Sequence, residues 1–430
     1  MNKVEVKNIE ASGNRLRVHF HCTGDIKRFF TNNVFSVEYD TSIESVPESI
    51  LVIPFLATVC PIAWADHANV CVGTICETFL HSLKDVRKSL QDLYPTVGFT
   101  GNIDASNVVK PYVDHRLKSM MLFSGGVDSL ATYIRHRTET PILVTMHGAD
   151  VDLDNYKAWK TVMNILHSFS RKTKSKLMTV RSNFTRIKND LMLGSYHKHI
   201  GQDWWGKVMH GLASLGLCAP ITYLENAGTL YIAAGATKDY KGPSGSLPSI
   251  DGKVRWAGTK AVHDGYDLSR QEKVELIAEY IRKADPQLYI RSCYRSHTGD
   301  NCSQCEKCSR TIVGLELAGI DPNEHGFHVT GGTFASIKEK LSSGAWHFAQ
   351  GEQFQWEILQ RHAYLDRDFP HSEARHLLQW LKNVDIEVFR SKSEQIRSRH
   401  LESRYIVPYR RYVPDPLFKV LRYLYRSISE

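Results

Sequence analysis

The sequence predicts an α/β protein with a parallel sheet at its centre, an N-terminal α+β domain and a helical C-terminal extension. Between about Leu117 and Ile320, short apolar runs alternate with amphipathic stretches, the pattern of strands joined by crossover helices. One of these junctions is a glycine-rich turn, which suits a strand followed directly by a helix. The 430 residues are 42% hydrophobic and 23% charged, which excludes a disordered chain, a collagen-like fibre and a small disulfide scaffold.

The sequence predicts that residues 1–115 form the N-terminal domain. Apolar residues alternate in two segments near the start, as in half-buried strands, and from Glu77 to Leu93 they fall on one face of a helix. The segment Ser49–Ala65 has no charged side chain, but it is short for a membrane span and contains Pro54 and Pro61. We expect this segment to form a buried strand and loop.

The sequence predicts that residues 116–320 form the core of the molecule. Strands are expected at 120–123, 141–146, 176–180 and 230–234, and helices at 129–137, 155–171 and 207–217. Because helices separate these strands, they should pair in parallel. Lys238 and Asp239 closely follow the last of these strands, at the end where open α/β sheets place ligands.

Residues 321–430 predict a helical extension, with the clearest helices at 346–362 and 371–381. The last 43 residues hold ten Lys or Arg and four Asp or Glu, so most of the net charge of +8 lies there, interleaved with five tyrosines. Such a tail could follow a nucleic-acid backbone while its rings stack on bases. A docking tail or a solvated helix face explains the same composition, and both interpretations stay open.

The strongest signal in the core is Ser124–Ser129, with the sequence SGGVDS. Two glycines let the backbone turn and approach an anion, and the following helix offers free N–H groups and its positive dipole end. The hydroxyls of Ser124 and Ser129 can add donors, and Asp128 can hold Mg²⁺ or its water shell. The loop lacks the lysine of the common P-loop, and a Gly-Gly turn that only caps a helix is the alternative. We predict a phosphate-binding loop.

The second strong signal is the spacing C-x8-C-x2-C-x2-C, formed by Cys293, Cys302, Cys305 and Cys308. Four thiolates suit tetrahedral Zn²⁺ in a closed structural site, and an iron–sulfur cluster is the alternative. Neighbouring Arg and Lys side chains, Arg291 among them, could offset the thiolate charge. The other five cysteines are predicted to be small core residues. Nine cysteines and no visible secretory signal favour a reducing compartment, so we expect a cytoplasmic protein.

These motifs resemble two nested families. The hexapeptide Ser124–Ser129 resembles the SGGxDS loop of the N-type ATP pyrophosphatases, or PP-loop proteins, which cleave ATP between the α and β phosphates and transfer AMP to a carbonyl or carboxylate oxygen. Followed by Ser-Cys-Tyr at 292–294 and the four cysteines, it is similar to the 7-cyano-7-deazaguanine synthases, the QueC-like family. This resemblance covers about residues 117–320.

The resemblance implies an ATP-dependent ligase that forms carbon–nitrogen bonds, with ATP and Mg²⁺ at the loop and Zn²⁺ at the cysteines. The synthases adenylylate 7-carboxy-7-deazaguanine, form an amide with ammonia and dehydrate it to the nitrile with a second ATP. With both flanks present, the layout resembles the QueC-like proteins of bacterial anti-phage systems, QatC and the QueC-like enzyme of type IV CBASS. In such relatives the activated carboxylate is joined to a protein amine, so a partner protein is the implied acceptor.

The sequence also departs from the synthases. Val127 stands where they usually have Gln, and residues 145–150 replace a Tyr-Gly-Gln-type motif. Residues 235–240 and 245–251 differ from the synthase motif Asp-x-Ser-Gly-Tyr-Pro-Asp-Cys-Arg. The ATP chemistry therefore carries over better than the substrate. A free-nitrile synthase and a PP-loop enzyme that modifies tRNA or DNA bases are the alternatives.

The predicted site residues fall into four groups. The catalytic group is Ser124, Asp128, Ser129 and Lys238. The ATP-binding group is Phe123, Ser124, Gly125, Gly126, Val127, Asp128, Ser129, Thr145, His147 and Gly235. The substrate-binding group is Thr237, Lys238, Asp239, Tyr240, Ser246, Asp251, Tyr294 and Arg295. The metal ligands are Cys293, Cys302, Cys305 and Cys308.

Weaker signals concern aromatic and histidine side chains. For each of four rings a stack on a purine-like base is the alternative to core packing, which is favoured: Trp204, Trp205, Tyr240 and Trp256. For three histidines, surface and packing roles are favoured over metal binding: His197, His199 and His210. The expected partners are a small 7-deazaguanine-type substrate and an acceptor protein, with no membrane; a homodimer stays open.

Overall fold

The structure, a computed structural model, describes residues 2–111, 117–201, 203–366 and 368–401, with only the backbone of 398–401. Contacts divide the described chain into two compact units. The first contains the residues up to 269 together with 279–300, and the second contains 270–278 together with the residues from 301 onward.

The first unit is built on one sheet of eleven strands. They are β1 (Lys3–Ser12), β2 (Arg15–Thr23), β3 (Val34–Tyr39), β4 (Asn69–Cys76), β5 (Ile103–Val109), β6 (Lys118–Leu122), β7 (Ile142–His147), β8 (Leu177–Ser182), β9 (Ala227–Ala233), β10 (Arg255–Trp256) and β11 (Thr259–Asp264). Their spatial order is β10-β11-β9-β6-β7-β8-β3-β2-β1-β4-β5. Most pairings are parallel, which confirms the predicted α/β class and its largely parallel sheet.

Within the described residues, eleven α-helices precede residue 284. They are α1 (Glu48–Leu51), α2 (Ile53–Ala65), α3 (Glu77–Leu93), α4 (Val127–His136), α5 (Tyr156–Thr173), α6 (Asp190–Leu193), α7 (His197–Ile200), α8 (His210–Leu217), α9 (Ala219–Leu224), α10 (Pro248–Asp251) and α11 (Arg270–Lys283). The helix predicted at 207–217 is α8, and a π-helical turn, Trp205–Met209, leads into it.

The predicted strand and loop at Ser49–Ala65 is wrong, because this segment forms α1 and α2. All thirteen residues of α2 are buried. A helix that is apolar on every side shows no 3.6-residue period, so the sequence pattern did not distinguish it from a buried strand. Pro54 lies in the first turn, where its missing N–H costs nothing, and α2 tolerates Pro61 in its interior.

The strands before residue 110 continue the sheet of the core. β3 pairs antiparallel with β8, with Val37 opposite Ser182, so strands from both parts of the chain share one hydrogen-bonded surface. Helix α8 packs on α2, and side chains of β6, β7, β8 and β9 belong to the same apolar core as α2 and α3. The N-terminal segment thus builds much of the framework that supports the core strands.

The order of connections reverses beside β6. β7 and β8 follow β6 on one side of the sheet, whereas β9 and β11 lie on its other side. In open parallel sheets, the loops at such a switch point diverge and leave a crevice at the carboxyl ends of the strands. Here the two flanking loops are the Ser124–Ser129 segment after β6 and residues 234–240 after β9.

The described residues from 301 onward form helices. They are α12 (Glu306–Leu317), α13 (Thr333–Ser343), α14 (Gln350–Arg361), α15 (Ser372–Lys382) and α16 (Glu387–Leu401). The two helices predicted there by periodicity are α14 and α15. Trp356 is fully buried, and its Nε1–H donates to Glu306 at 2.9 Å. Most of the basic tail lies outside the described residues, so the nucleic-acid prediction stays a prediction.

No described helix combines the length and the apolar character that a membrane crossing requires.

Candidate functional site

The SGGVDS segment forms the predicted strand–turn–helix. β6 ends at Leu122, and α4 begins at Val127 with Gly126 as its N-cap. Gly125 has a φ of +71°, in the left-handed region that favours glycine. A Cβ on Gly126 would lie 3.1 Å from the backbone oxygen of Arg291, closer than an ordinary van der Waals contact, so the neighbouring backbone would have to shift slightly. The turn therefore favours glycine at both positions.

The two serines brace this turn from within. The Ser129 Oγ–H donates to the Gly126 carbonyl at 3.1 Å, and the Ser124 N–H donates to Ser129 Oγ at 3.3 Å. The Gly126 N–H reaches Ser124 Oγ at 3.4 Å. These bonds all lie within the loop and help to hold the shape of the turn.

Apolar residues anchor the loop at both ends, and Asp128 stands at the start of its helix. Phe123 and Val127 are each 2% exposed, and the Phe123 ring stacks on Phe169 with centroids 4.8 Å apart. Asp128 lies in the first turn of α4, where the helix dipole favours a negative charge, and is partly exposed. It is the one carboxylate of the loop, and thus the candidate ligand for a divalent cation.

Arg291 is a residue of this site that the sequence did not identify. Its N–H donates to the Gly125 carbonyl at 2.8 Å, and its Nη1 lies 3.4 Å from the Ser124 carbonyl. The residue is only 6% exposed, and its buried Nε has no hydrogen-bond partner in the part of the chain that is described. A buried guanidinium without a complete set of partners favours an anion beside it. The sequence placed Arg291 only near the cysteines.

The predicted residues of β7 are buried beside β6. Thr145 is 5% exposed and His147 is 2% exposed. The His147 ring lies parallel to the Trp159 ring at 4.4 Å, and its Nε2 contacts the Asp152 carbonyl oxygen at 3.1 Å. Burial lowers the pKa of His147, because removal from water disfavours the charged imidazolium.

The loop after β9 places its predicted residues on the other side of β6. Lys238 and Asp239 are exposed, whereas Thr237 is buried and its Oγ1 accepts the Asp239 N–H at 3.2 Å. The Lys238 N–H donates to the Tyr266 carbonyl at 2.9 Å, and the Tyr240 N–H donates to the Thr237 carbonyl. At Gly235 a Cβ would meet nothing within 4 Å, so the start of this loop borders open space.

Ser246 and Asp251 are brought together, and the structure adds His263 to them. The Ser246 Oγ–H donates to Asp251 Oδ2 at 2.6 Å, and His263 Nδ1 lies 2.7 Å from the same oxygen. The sequence did not identify His263, because its partner is twelve residues away along the chain in a different element. β11 has the sequence TKAVHD, in which one more polar residue is not distinctive, so the local sequence offered no signal for His263.

The four cysteines converge as predicted. One thiol sulfur from each of Cys293, Cys302, Cys305 and Cys308 lies within 4.8 Å of the other three. The 3.9 Å between the sulfurs of Cys302 and Cys308 matches the edge of a tetrahedron with metal–sulfur bonds of about 2.3 Å. This group could hold a metal ion such as zinc.

Backbone N–H groups point at two of these sulfurs. The Cys305 N–H lies 3.3 Å from the sulfur of Cys302, and the Cys308 N–H lies 3.5 Å from the sulfur of Cys305. Cys305 is also the N-cap of α12, where the helix dipole stabilises a negative charge. Thiolates are the form in which cysteine binds metal, so the local structure suits a cation.

The remaining predicted residues lie in ordinary environments. Tyr294 is 48% exposed, and the Arg295 guanidinium lies 6.0 Å from the centre of its ring. Trp204 and Trp256 are buried, and the Trp256 Nε1–H donates to Thr222, which confirms core packing for both. Cys60, Cys76 and Cys218 are buried as predicted, whereas Cys22 and Cys71 are only partly buried.

Comparison of the chain with protein-family models, with curated proteins and with solved structures gives no match. The fold and the sites define a class by themselves: an α/β protein with a large, mostly parallel sheet and a four-cysteine group that could bind a metal ion. A glycine-rich turn at the switch point of that sheet is its other distinguishing feature.

Proposed function

We propose that the protein is an ATP-dependent ligase of the QueC-like, PP-loop type. It would adenylylate the carboxylate of a 7-deazaguanine-type base and transfer the acyl group to an amine, a protein amine in anti-phage defence. The observation that carries this proposal is the SGGVDS turn at the switch point between β6 and β9, with the buried Arg291 against it.

The residues of the loop fit a polyphosphate. The first turn of α4 offers backbone N–H groups without partners inside the helix, and Gly126 lets a ligand approach them without a Cβ in the way. Arg291 brings a buried positive charge to the same turn. ATP bound there supplies the adenylyl group that turns a carboxylate into a reactive mixed anhydride, with release of pyrophosphate.

The chain's own residues would act by position and charge. Asp128 would hold Mg²⁺ or its water shell beside the loop, and Arg291 would offset the negative charge that grows on the departing pyrophosphate. Lys238 lies on the opposite side of the switch point, where its exposed ammonium would contact a phosphate or the substrate carboxylate. Neither glycine of the loop takes part in chemistry; both allow the backbone to close around the anion.

Zinc is the metal proposed for the four cysteines. A site with four protein sulfurs has no open position for a substrate, so the metal would stabilise the segment 293–308 and take no part in the reaction. Arg291 links this segment to the loop, since it lies two residues before Cys293 and donates its N–H to Gly125.

The test is the release of pyrophosphate and AMP from ATP in the presence of 7-carboxy-7-deazaguanine. Asp128→Ala should reduce this release by at least about 100-fold, because the cation would lose its carboxylate, while the melting temperature stays unchanged. Asp92→Ala is the matched control, since Asp92 is exposed on α3 and pairs only with Lys88 in the preceding turn among the described ion pairs. Undiminished release by Asp128→Ala, or ADP and phosphate as products, would overturn the proposal.

A further inference from the structure

Three polar side chains form a buried chain at the carboxyl end of β11. Ser246 and His263 both contact Oδ2 of Asp251, at 2.6 and 2.7 Å. The Asp251 side chain is 0% exposed and that of His263 is 1% exposed. A Cβ on Gly211 would overlap Asp251 Oδ1, so helix α8 closes directly over the carboxylate.

Asp251 and His263, the dyad of this chain, have hydrogen-bonding atoms that lack partners within the described residues. Asp251 Oδ1 and His263 Nε2 are buried, and neither has a hydrogen-bond partner among the residues that the structure describes. A carboxylate only accepts hydrogen bonds, so the proton of the neutral imidazole lies on Nδ1, and Nε2 presents a lone pair. Burying such groups without partners costs free energy, and an apolar pair would pack there more favourably.

A second carboxylate–histidine contact, made by His136 at the end of α4, shows the contrast. Both ring nitrogens of His136 have partners, Glu139 at 2.9 Å and Asp264 at 3.1 Å. Both ring nitrogens of His136 are therefore hydrogen-bonded, whereas Nε2 of His263 has no partner among the described residues. Buried ionisable groups with an unused lone pair near a cleft are the ones that enzymes use as bases.

The register of the strands places His263 near the phosphate loop. His263 is paired with Ile232 of β9, and the preceding residue of β9, Tyr231, is paired with Met121 of β6. His263 is thus level with Leu122, the last residue of β6, and two strand spacings from it, about 10 Å. Ser124 follows two residues later.

The turn after β11 also connects the dyad to the loop after β9. The rings of His263 and Tyr266 lie 5.6 Å apart, and the Tyr266 carbonyl accepts the N–H of Lys238. The dyad therefore adjoins the segment that carries the predicted substrate residues. Because Nε2 is buried, its use requires that neighbouring residues move when substrate binds.

We propose that His263 accepts the proton in the amide-forming step, with Asp251 as its positioning residue; this inference rests on the proposed function. The amine nitrogen attacks the acyl carbon of the adenylate, and a C–N bond forms. The bond from that carbon to the phosphate oxygen breaks, and its electron pair leaves with AMP. The nitrogen gives its proton to His263 Nε2, and the resulting imidazolium is paired with the Asp251 carboxylate. Ser246 holds that carboxylate by its hydroxyl.

The experiment separates adenylylation from amide formation in the full-length protein. Carboxylate-dependent exchange of labelled pyrophosphate into ATP reports the first step, and product formed from ammonia or from hydroxylamine reports the second. In His263→Gln we expect the rate of pyrophosphate exchange to stay within about 2-fold of that of the unaltered protein. The rate of product formation from ammonia should fall at least about 100-fold. Hydroxylamine should restore most of the product, because it is nucleophilic without a base. His136→Gln, the matched control, should leave all three rates unchanged.

Asp251→Asn should likewise keep pyrophosphate exchange and lose product formation from ammonia. The substitution keeps the shapes of both side chains and removes the charge that supports the imidazolium. It replaces His263→Gln if that variant does not fold. An equal loss of exchange and of both products would show a structural role and overturn the proposal, as would an unchanged rate with ammonia. Absence of exchange in the unaltered protein would instead refute the proposed function, and this inference with it.

Discussion

The SGGVDS loop and the cysteine segment, residues 293–308, are two regions held together by different forces. The loop is closed by hydrogen bonds among its own serines and glycines and by the Arg291 N–H. The cysteine segment brings four sulfurs within 4.8 Å of one another. As thiolates, those sulfurs repel each other unless a cation lies between them.

The two regions therefore differ in how far their structure depends on a ligand. The loop is held by its own hydrogen bonds, so a substitution of its one carboxylate, Asp128, should change turnover and leave the protein folded. The cysteine segment would bring thiolates of like charge together, and a bound metal would offset their repulsion. A substitution there should therefore change stability first. Each experiment below tests one side of this contrast.

The largest effect should come from Cys305→Ser, which removes a ligand and the N-cap of α12 together. Structural zinc contributes about 10 kcal/mol or more to small domains, so we expect loss of the metal and a fall in melting temperature of more than about 10 °C. Elemental analysis and thermal unfolding measure the two, and the absorbance spectrum distinguishes zinc from an iron–sulfur cluster.

Cys71→Ser is the matched control, because Cys71 is partly buried and lies outside the group. It should keep the metal and the melting temperature. If Cys305→Ser retained the metal and full stability, the cysteine segment would be as self-sufficient as the loop, and the contrast would fail.

An intermediate effect is expected from Arg291→Met at the junction of the two regions. A hydrogen bond to a charged group contributes about 1.5–3 kcal/mol, so the KM for ATP should rise roughly 10- to 100-fold. Removing an incompletely paired buried charge should leave the free energy of unfolding unchanged or increased. Steady-state kinetics and urea unfolding test both statements.

Arg171→Met, on the exposed surface of α5, controls for the loss of a positive charge and should alter neither quantity. A large fall in stability of Arg291→Met with an unchanged KM would assign Arg291 to the cysteine segment instead of the loop.

The smallest effect concerns pH and His147, on the strand next to the loop. Burial depresses its pKa below the ordinary value of 6.5, so at acidic pH the unfolded chain binds more protons than the folded one. Stability should therefore decrease as the pH falls from 7 to 5, and His147→Asn should make this decrease shallower. Urea unfolding across that range measures it.

His167→Asn, at an exposed position of α5, should leave the dependence of the free energy of unfolding on pH unchanged. An identical slope for His147→Asn and the unaltered protein would show that this buried imidazole does not limit stability in acid.

Local pattern predicted most elements of the core and both motifs. The helix over Glu77–Leu93 was predicted with its exact bounds, and the strands of β6 to β9 lie within a few residues of their predicted positions. These elements have either a clear period or a glycine turn at one end. The segment Ser49–Ala65 failed because a wholly buried helix has no polar face to set its period.

Arg291 and His263 could not be assigned to the site from the sequence for another reason. Their partners, Gly125 and Asp251, lie on other elements, and nothing local distinguishes either residue from a core or surface residue. The predicted boundaries at 115 and 320 likewise depend on which strands pair, and β3 pairs with β8 across the first of them.

The turn and the four-cysteine group could be predicted from the sequence alone, because a sharp turn favours glycine and a thiolate metal site needs cysteines at short spacings, and both are local requirements. That β9 lies beside β6, that Arg291 is buried against the loop and that His263 contacts Asp251 are properties of the tertiary structure. Those contacts depend on strand order and on burial, which arise from packing of the whole sheet and leave no periodic signal in the chain.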